Sequence, residues 1–193
     1  HMRSRLILHG KAFSFDELNT LIYSTAFQNE DPRLPSRRVW TCGIDTGGGV
    51  ELEGSDINRT EQVYQWCSVD PRRRIALKGS NRPLESMTRR VAKEYASPSG
   101  SAVALHMFRI DSLLTGDQLA QFITERVELM NPDGELISVD RWELNEEVDN
   151  EYLRHITVMQ VKTRKKGNKN IRFWAPEFEG ARHDWHDCER YNI

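Results

Sequence analysis

The chain has 193 residues, enough for one domain with a buried core. Hydrophobic residues make up 38% and charged residues 29%, which is typical of globular proteins and excludes a disordered or fibrous chain. No apolar run approaches the roughly 20 residues that a membrane-spanning helix needs, and the start of the chain carries no secretory signal, so a membrane role is excluded. The net charge of −2 means that any contact with nucleic acid must come from local basic clusters.

The first half of the chain begins with a capped helix. Ser14 and Glu17 form an S-x-x-E capping box, Phe13 and Leu18 occupy the hydrophobic-staple positions, and apolar residues continue at helical spacing to Phe27. We set His1 and Met2 aside as a vector-derived remnant.

A strand–helix–strand pattern follows. Residues 39–45 form a β-rich run that stops at a glycine-rich stretch, 46–49, and Thr60 can cap a helix. Residues 75–79 form a second strand, so the pattern predicts a parallel βαβ crossover. Residues 80–101 are rich in Ser, Pro, Arg and Gly without a sustained period, and we predict a long loop there.

The second half of the chain continues the alternation of strands and helices. Residues 103–110 predict a strand that ends at Asp111, and Thr115 with Gln118 makes a second capping box, opening a helix whose apolar face extends to Met130. Later elements are a turn at 131–134, a helix over 146–155, a hairpin with arms 158–162 and 171–174, and a helix start at 183–188. No repeat or linker is visible, so residues 1–193 are predicted to form a single α/β domain.

The three cysteines, Cys42, Cys67 and Cys188, are far apart and form no C-x-x-C pair. Their odd number and spacing favour reduced, buried thiols in a cytosolic protein over a disulfide framework or a structural zinc site.

Two aspartates are candidate site residues because each ends a predicted strand. Asp45 precedes the glycine-rich stretch, at the strand end where open α/β sheets place their sites. The alternative is that its carboxylate only accepts hydrogen bonds from the turn at 46–48. A phosphate-binding role is disfavoured because the segment lacks both glycine-rich nucleotide motifs. Asp111 is a weaker candidate of the same kind, since it also ends a predicted strand but could equally cap the next helix.

A third acidic group lies near the C-terminus. On a helix, His183, Asp184 and Asp187 share one face, and carboxylates beside an imidazole suit a hard divalent cation. The alternative is a solvated acidic helix start, which the helix dipole favours. His183 and His186 are three apart with no further partner at zinc spacing, and Cys188 points away from Asp187, as a core residue would.

The dense basic patch is the tip of the predicted hairpin. A run of charge is usually a solvated face, so this patch alone does not establish DNA binding, but beside a carboxylate metal site it favours contact with DNA phosphates. Its cations are Lys162, Arg164, Lys165, Lys166, Lys169 and Arg172.

Five segments, taken in order, resemble the nuclease region of the large subunit of phage terminases, in its lambda-like branch. They are G-I-D-T-G-G at 43–48, V-Y at 63–64, I-A-L-K-G-S at 75–80, R-I-D at 109–111 and W-H-D-C-E-R-Y at 185–191. The family shows an (I/W)-D-(S/T)-G-G stretch, a V-Y helix, a strand ending in K-G-(A/S), a G-(T/V)-D segment and an A-L-D-C-x-V-Y close. Each match is short, but their common order spans nearly the whole chain.

The resemblance implies a ribonuclease H-like mixed sheet flanked by helices and cutting of concatemeric double-stranded viral DNA by two Mg²⁺ or Mn²⁺ ions. Asp45 matches the middle acidic ligand and Asp187 the last. Asp111 and Asp184 are further candidate metal ligands, His183 and His186 candidate groups for orienting water or moving a proton, and Lys78 joins the basic hairpin as a candidate DNA contact. The implied partners are DNA, the terminase ATPase domain, the small terminase subunit and the capsid portal, in the host cytoplasm.

The chain departs from the family pattern in two places. His183 and Asp184 stand where the family has Asn and Glu, and the family's first catalytic aspartate lies on a strand before the segment that matches Arg5 to Leu8. We expect that the N-terminal strand or strands are lacking, or that Asp111 substitutes for this aspartate. The chain has no Walker A pattern, so the ATPase would be a separate domain. The alternatives are a non-catalytic module that docks DNA or portal with an incomplete acidic site and, more remotely, a resolvase or integrase.

Overall fold

The computed structural model describes residues 4–29, 31–47, 59–80, 82–96 and 102–192. The chain divides into two compact units, and the polypeptide passes from one unit to the other several times. Unit 1 consists of residues 1–10, 81–87 and 111–193, and unit 2 of residues 11–80 and 88–110. Helices and strands are both present in the described residues, and the α/β class is confirmed. A single domain over the whole chain remains a prediction.

Unit 2 is built on a four-stranded mixed sheet in the order β2-β3-β5-β4. The strands are β2 (Cys42–Asp45), β3 (Arg74–Ser80), β4 (Thr88–Ala96) and β5 (Ala102–Asp111), and the helices are α1 (Phe15–Tyr23) and α2 (Arg59–Val69). Strands β2 and β3 are parallel, with Asp45 opposite Leu77, whereas β4 and β5 are antiparallel. The predicted βαβ crossover is therefore confirmed.

The core of unit 2 lies between α2 and one face of this sheet. Its buried members from α2 are Val63, Tyr64, Trp66 and Cys67, and they meet Ala76, Leu105, Met107 and Ile22. Burial raises the pKa of the Cys67 thiol to about 12, so this cysteine is an inert core residue.

Helix α1 begins at the predicted cap. The Ser14 hydroxyl accepts the Glu17 N–H at 3.2 Å, while the Glu17 carboxylate accepts the Phe13 N–H at 2.7 Å. The predicted staple is not formed, because the Phe13 ring is 87% exposed. The helix also ends earlier than predicted, at Tyr23, and Phe27 instead forms an isolated bridge with Arg37.

Unit 1 contains three helices and three two-stranded sheets within its described residues. The helices are α3 (Ser112–Thr124), α4 (Asn150–Thr157) and α5 (Asp184–Asn192). The strand pairs are β1 (Ser4–Arg5) with β8 (Trp142–Glu143), β6 (Arg126–Met130) with β7 (Leu136–Asp140), and β9 (Met159–Lys166) with β10 (Lys169–Pro176). The β9–β10 hairpin and the start of α5 are as predicted, and α4 begins later than predicted.

Two predictions of local structure are wrong. Part of the predicted loop over 80–101 is strand β4, an edge strand whose side chains from 88 to 94 are mostly exposed and therefore show no apolar alternation. The predicted long helix from Thr115 to Met130 is instead α3 followed by β6, and Asp111 rather than Thr115 caps α3. The described residues contain no helix long and apolar enough to cross a membrane.

None of the three cysteines forms a disulfide, as predicted, but their burial differs from the prediction. Cys67 is buried, Cys42 is half-buried and Cys188 is exposed on α5. The prediction of a core position for Cys188 is therefore wrong.

Candidate active site

Asp45 is the last residue of β2 and is exposed at the carboxyl end of the strand. Its Oδ1 atom accepts the Gly47 N–H at 2.7 Å, so the predicted turn contact is present. The next residue anchors the strand end, because the buried Thr46 hydroxyl donates to the Leu77 carbonyl at 2.9 Å and Thr60 donates to the Thr46 carbonyl at 3.1 Å. These contacts fix the direction in which Asp45 leaves the sheet. The rest of the glycine-rich stretch, from Gly48, lies outside the described residues.

A cleft of about 300 Å³ opens beside Asp45, entirely within unit 2. Three segments line it: the N-terminal end of α1, the carboxyl end of β2 and the first turn of α2. The lining side chains combine a carboxylate, Asp45, an exposed cation, Arg59, and an exposed aromatic ring, Phe13. The cleft therefore brings an acidic, a cationic and an aromatic side chain to one place.

Asp111 serves as the N-cap of α3. Its Oδ1 accepts the N–H groups of Leu113 and Leu114, each at 3.0 Å, and its Oδ2 accepts the Leu84 N–H at 2.8 Å. The residue is 3% exposed. Three backbone donors thus surround this carboxylate, and the geometry agrees with the capping alternative.

Asp187, in the first turn of α5, is surrounded by cationic and ionisable side chains of its own helix region. Its Oδ1 lies 3.0 Å from the buried Arg190 Nε and 3.8 Å from His186 Nδ1, and its Oδ2 lies 3.8 Å from His183 Nε2. Burial pushes the pKa of Asp187 upward, but His186, Arg190 and His183 together outweigh it and hold the pKa below its usual range. Asp187 is therefore ionised at neutral pH, as a metal ligand must be.

His183 presents a specific nitrogen to Asp187. Its Nδ1 lies 3.1 Å from the Ala181 carbonyl oxygen, which can only accept, so we assign the ring proton to Nδ1. The other nitrogen, Nε2, lies 3.8 Å from Asp187 Oδ2: when protonated it faces the carboxylate as a cation, which is the state that lowers the pKa of Asp187, and when neutral it carries the lone pair. A backbone carbonyl that fixes the tautomer is the usual support of a histidine that binds a metal through its second nitrogen.

The remaining predicted residues of α5 have other contacts. Asp184 accepts hydrogen bonds from Arg182 at 2.7 and 3.0 Å, so its carboxylate is turned toward the preceding residues. His186 is 3% exposed, with its ring 5.9 Å from that of Trp174. The predicted grouping of His183 with Asp187 is thus present, while Asp184 is paired elsewhere.

The β9–β10 hairpin distributes its cations over two faces. The observed register places four of the cations on one face of the hairpin, together with Ile171 and Phe173: Lys162, Arg164, Lys166 and Lys169. The other two cations, Lys165 and Arg172, lie on the opposite face. Three of these cations have contacts within the fold: Lys162 donates to the carbonyls of Pro176 and Glu177, Arg172 lies 3.4 Å from Asp117, and the Arg164 guanidinium lies 5.1 Å from the centroid of the Phe173 ring. Arg164, Lys165, Lys166 and Lys169 are exposed, and so is Lys78 on β3.

A family model described as terminase large subunit gpA, endonuclease domain, matches residues 10–193. The chain belongs to this family. No curated protein and no solved structure matches it. The expectation drawn from the five ordered segments is confirmed at the level of the family.

The terminase nuclease family implies divalent metal ions, and the donors present in the chain fit Mg²⁺ or Mn²⁺. Within the described residues, no group of three or more His, Cys, Asp or Glu side chains is placed to hold a metal ion by itself. Mg²⁺ instead keeps several waters and takes one or two carboxylates. Asp45 in unit 2, and Asp187 with His183 in unit 1, are donors of this kind.

Sequence reasoning did not identify three residues of this terminase nuclease chain that the structure adds to the candidate sites. Arg190 places a positive charge beside Asp187, and the Ala181 carbonyl sets the tautomer of His183. Arg59 lines the Asp45 cleft. The spacing of three between Asp187 and Arg190 on a helix is a signal that could have revealed that pair.

Proposed function

We propose that the chain is a metal-dependent endonuclease domain that hydrolyses phosphodiester bonds of concatemeric double-stranded DNA during viral packaging. The observation that carries this proposal is the position of Asp45 at a strand end, beside a cleft, inside the matched family segment. In this role the domain would act in the host cytoplasm with the terminase ATPase domain, the small subunit and the portal. The ribonuclease H-like topology remains part of the proposal.

The residues divide the work by their chemistry. A pair of divalent cations, when bound, would activate water and stabilise the departing 3′ oxygen. Asp45 and Asp187 would hold these ions as carboxylate ligands, with Asp111 and Asp184 as further candidate ligands. His183 would present its Nε2 lone pair to orient water or accept a proton. Buried His186 would steady the Asp187 carboxylate.

DNA would be held through its phosphates. The exposed cations of the β9–β10 hairpin, together with Lys78, give sequence-independent attraction that weakens with salt. Lys162 and Arg172 would contribute less, because both already have partners in the fold.

Nicking of supercoiled plasmid in the presence of Mn²⁺ tests the proposal. We expect wild type to produce nicked circles and Asp45→Asn to reduce the rate by at least about 100-fold, because the carboxylate charge is lost while a hydrogen-bond acceptor for Gly47 is kept. Asp31→Asn is a matched control, since Asp31 also accepts the N–H of the residue two positions on, at 3.0 Å, but lies outside the cleft. Equal nicking by Asp45→Asn and wild type would reject the assignment.

A second candidate function is a non-catalytic module that docks DNA or portal. The lack of a three-ligand cluster among the described residues favours it. Calorimetric titration with Mn²⁺ separates the two: heat of binding at millimolar metal supports the nuclease, and its absence together with retained DNA binding supports docking.

A further inference from the structure

Phe13 is an exposed aromatic side chain at the wall of the Asp45 cleft. Its ring is 87% exposed, yet it lines the cleft together with Leu18, Asp45 and Arg59. Single exposed apolar residues are common and need no explanation by themselves. Phe13 differs because it is placed beside the carboxylate on which the proposed chemistry depends.

The backbone at Phe13 is held in place, although its ring is not packed. The Phe13 N–H donates to the Glu17 carboxylate at 2.7 Å, and the next residue, Ser14, caps α1. Phe15 supplies the aromatic contact to the core, since its ring stacks on Trp66 at 5.4 Å with an interplanar angle of 21°. Phe13 is therefore fixed at the cleft without a packing role in the core.

The cleft offers complementary groups for a nucleotide of a DNA strand. An exposed ring can pack on the face of a base, an exposed arginine such as Arg59 can pair with a phosphate, and Asp45 can hold a cation beside that phosphate. Stacking on an aromatic ring is tolerant of sequence because every base has a π-face. Burying the exposed ring removes apolar surface from water, and this favourable contribution offsets the few kcal/mol that opening a base step of a duplex costs.

We propose that Phe13 packs its ring against a nucleobase of the DNA strand whose backbone passes Asp45, at a base step that is opened to admit the ring. The inference rests on the proposed nuclease function and adds a base contact to it. A nuclease with phosphate contacts alone would hold DNA in any register, whereas a ring fixed beside Asp45 positions one nucleotide at the cleft.

Binding of a short duplex that carries 2-aminopurine, measured by fluorescence without divalent metal, tests this contact. We expect Phe13→Ala and Phe13→Leu each to weaken binding about tenfold, because leucine keeps an apolar side chain but lacks a ring face, and Phe13→Trp to stay within about twofold of wild type. Trp40→Ala is the matched control, since Trp40 in the same unit is 88% exposed but does not line the cleft.

The outcomes separate the base contact from other roles of the ring. The proposal would be overturned if Phe13→Ala bound DNA as tightly as wild type, or if Trp40→Ala lost as much affinity as Phe13→Ala. It would also be overturned if the wild-type chain did not bind DNA. A lower melting temperature of Phe13→Ala without DNA would show a structural role and would also reject it. Phe13-dependent binding by a wild-type chain that fails to nick plasmid would reject the nuclease function and retain the base contact.

Discussion

Tyr23 illustrates how single side chains control charge in unit 2. Its hydroxyl donates to Asp70 at 2.7 Å and accepts from the Arg74 Nε at 2.9 Å, and the Arg73 guanidinium lies 4.3 Å from the ring centroid. Arg74 is 8% exposed and also donates to the Trp66 carbonyl. One phenol therefore helps to satisfy a buried cation and a carboxylate at the same time.

Replacement of Tyr23 by phenylalanine should raise the pKa of Asp70. The hydrogen bond from Tyr23 is the largest cause that holds this pKa below its usual range. A depressed pKa in the folded state stabilises the protein above the unfolded value, about 3.9, and this contribution is lost as the pH falls through the folded value. We expect Tyr23→Phe to lower the free energy of unfolding at pH 7 by about 1 kcal/mol. The variant should also lose less stability than wild type between pH 5 and 2. NMR titration of Asp70 measures the pKa, and urea unfolding measures the stability.

An Asp70 pKa that does not change in Tyr23→Phe would contradict this account. Thr20 is a control on the same helix, because its hydroxyl donates to the Asp16 carbonyl at 3.1 Å rather than to Asp70. Thr20→Val should therefore leave the pKa of Asp70 unchanged.

At the same scale, the sequence predicted which residues carry charge but not what surrounds them. The position of Asp45 at the end of a strand follows from local pattern and was predicted. The surroundings of Asp187 depend on where the side chain of Arg190 lies and on a carbonyl at Ala181, and neither is fixed by composition or periodicity.

At the scale of elements, helix α3 and strand β10 meet at a glycine. A Cβ placed on Gly116 would lie 2.5 Å from Cδ1 of Trp174. The indole is held there because its N–H donates to Asp117 at 2.9 Å. The hairpin that carries the basic patch is therefore seated on α3 through a contact that needs the smallest residue.

Replacement of Gly116 by alanine should destabilise the protein despite the better helix propensity of alanine. The overpacked ring costs about 1–3 kcal/mol, whereas the propensity gain is at most about 1 kcal/mol. Gly10→Ala is the control, since a Cβ at Gly10 meets no atom within 4 Å, and its effect should be below about 0.5 kcal/mol. Urea unfolding measures both, and a Gly116→Ala variant as stable as wild type would contradict the contact.

The hairpin itself should account for part of the salt dependence of DNA binding. Lys166 and Lys169 are exposed cross-strand neighbours near the tip. We expect the double change Lys166→Gln and Lys169→Gln to reduce the slope of log affinity against log salt by about 1.8, because each lost phosphate contact removes about 0.9. Arg172→Gln is the matched control on the same hairpin, since Arg172 is paired with Asp117. If the double variant and wild type had the same slope of log affinity against log salt, the DNA would not contact the tip of the hairpin.

Elements were predictable where their signals are local. The cap of α1, the βαβ crossover and the β9–β10 hairpin follow from capping residues, alternation and turn residues in short windows. Strand β4 was missed because an edge strand buries little, and its pairing with β5 is a long-range choice. The predicted start of α3 was wrong because Asp111 and Thr115 are both acceptable N-cap residues. The backbone N–H groups that donate to the Asp111 carboxylate show which of the two caps the helix.

At the scale of the whole molecule, the proposed mechanism assigns metal-ligand roles to both Asp45 and Asp187. The two residues belong to different units. Convergence of residues from separate units depends on tertiary contacts that no local pattern encodes, so this part of the site is a prediction rather than a consequence of the motifs.

Shared metal ligation should appear as non-additive loss of Mn²⁺ stabilisation. For wild type, Mn²⁺ at ten times its dissociation constant should raise the free energy of unfolding by about 1.4 kcal/mol. Asp45→Asn and Asp187→Asn should each remove most of this gain, and the double variant should lose little more. Asp31→Asn should keep the full gain. Thermal melts with and without Mn²⁺ measure the effect, and independent, additive losses would place the two carboxylates at separate ions.

The division of the polypeptide between the two units has a consequence for how this chain can be altered. The chain passes from one unit to the other four times, at residues 10/11, 80/81, 87/88 and 110/111. Neither unit corresponds to one uninterrupted stretch of coding sequence. No cut at a single point can therefore separate one intact unit from the other, and a graft of either unit into another protein would have to join several separate pieces.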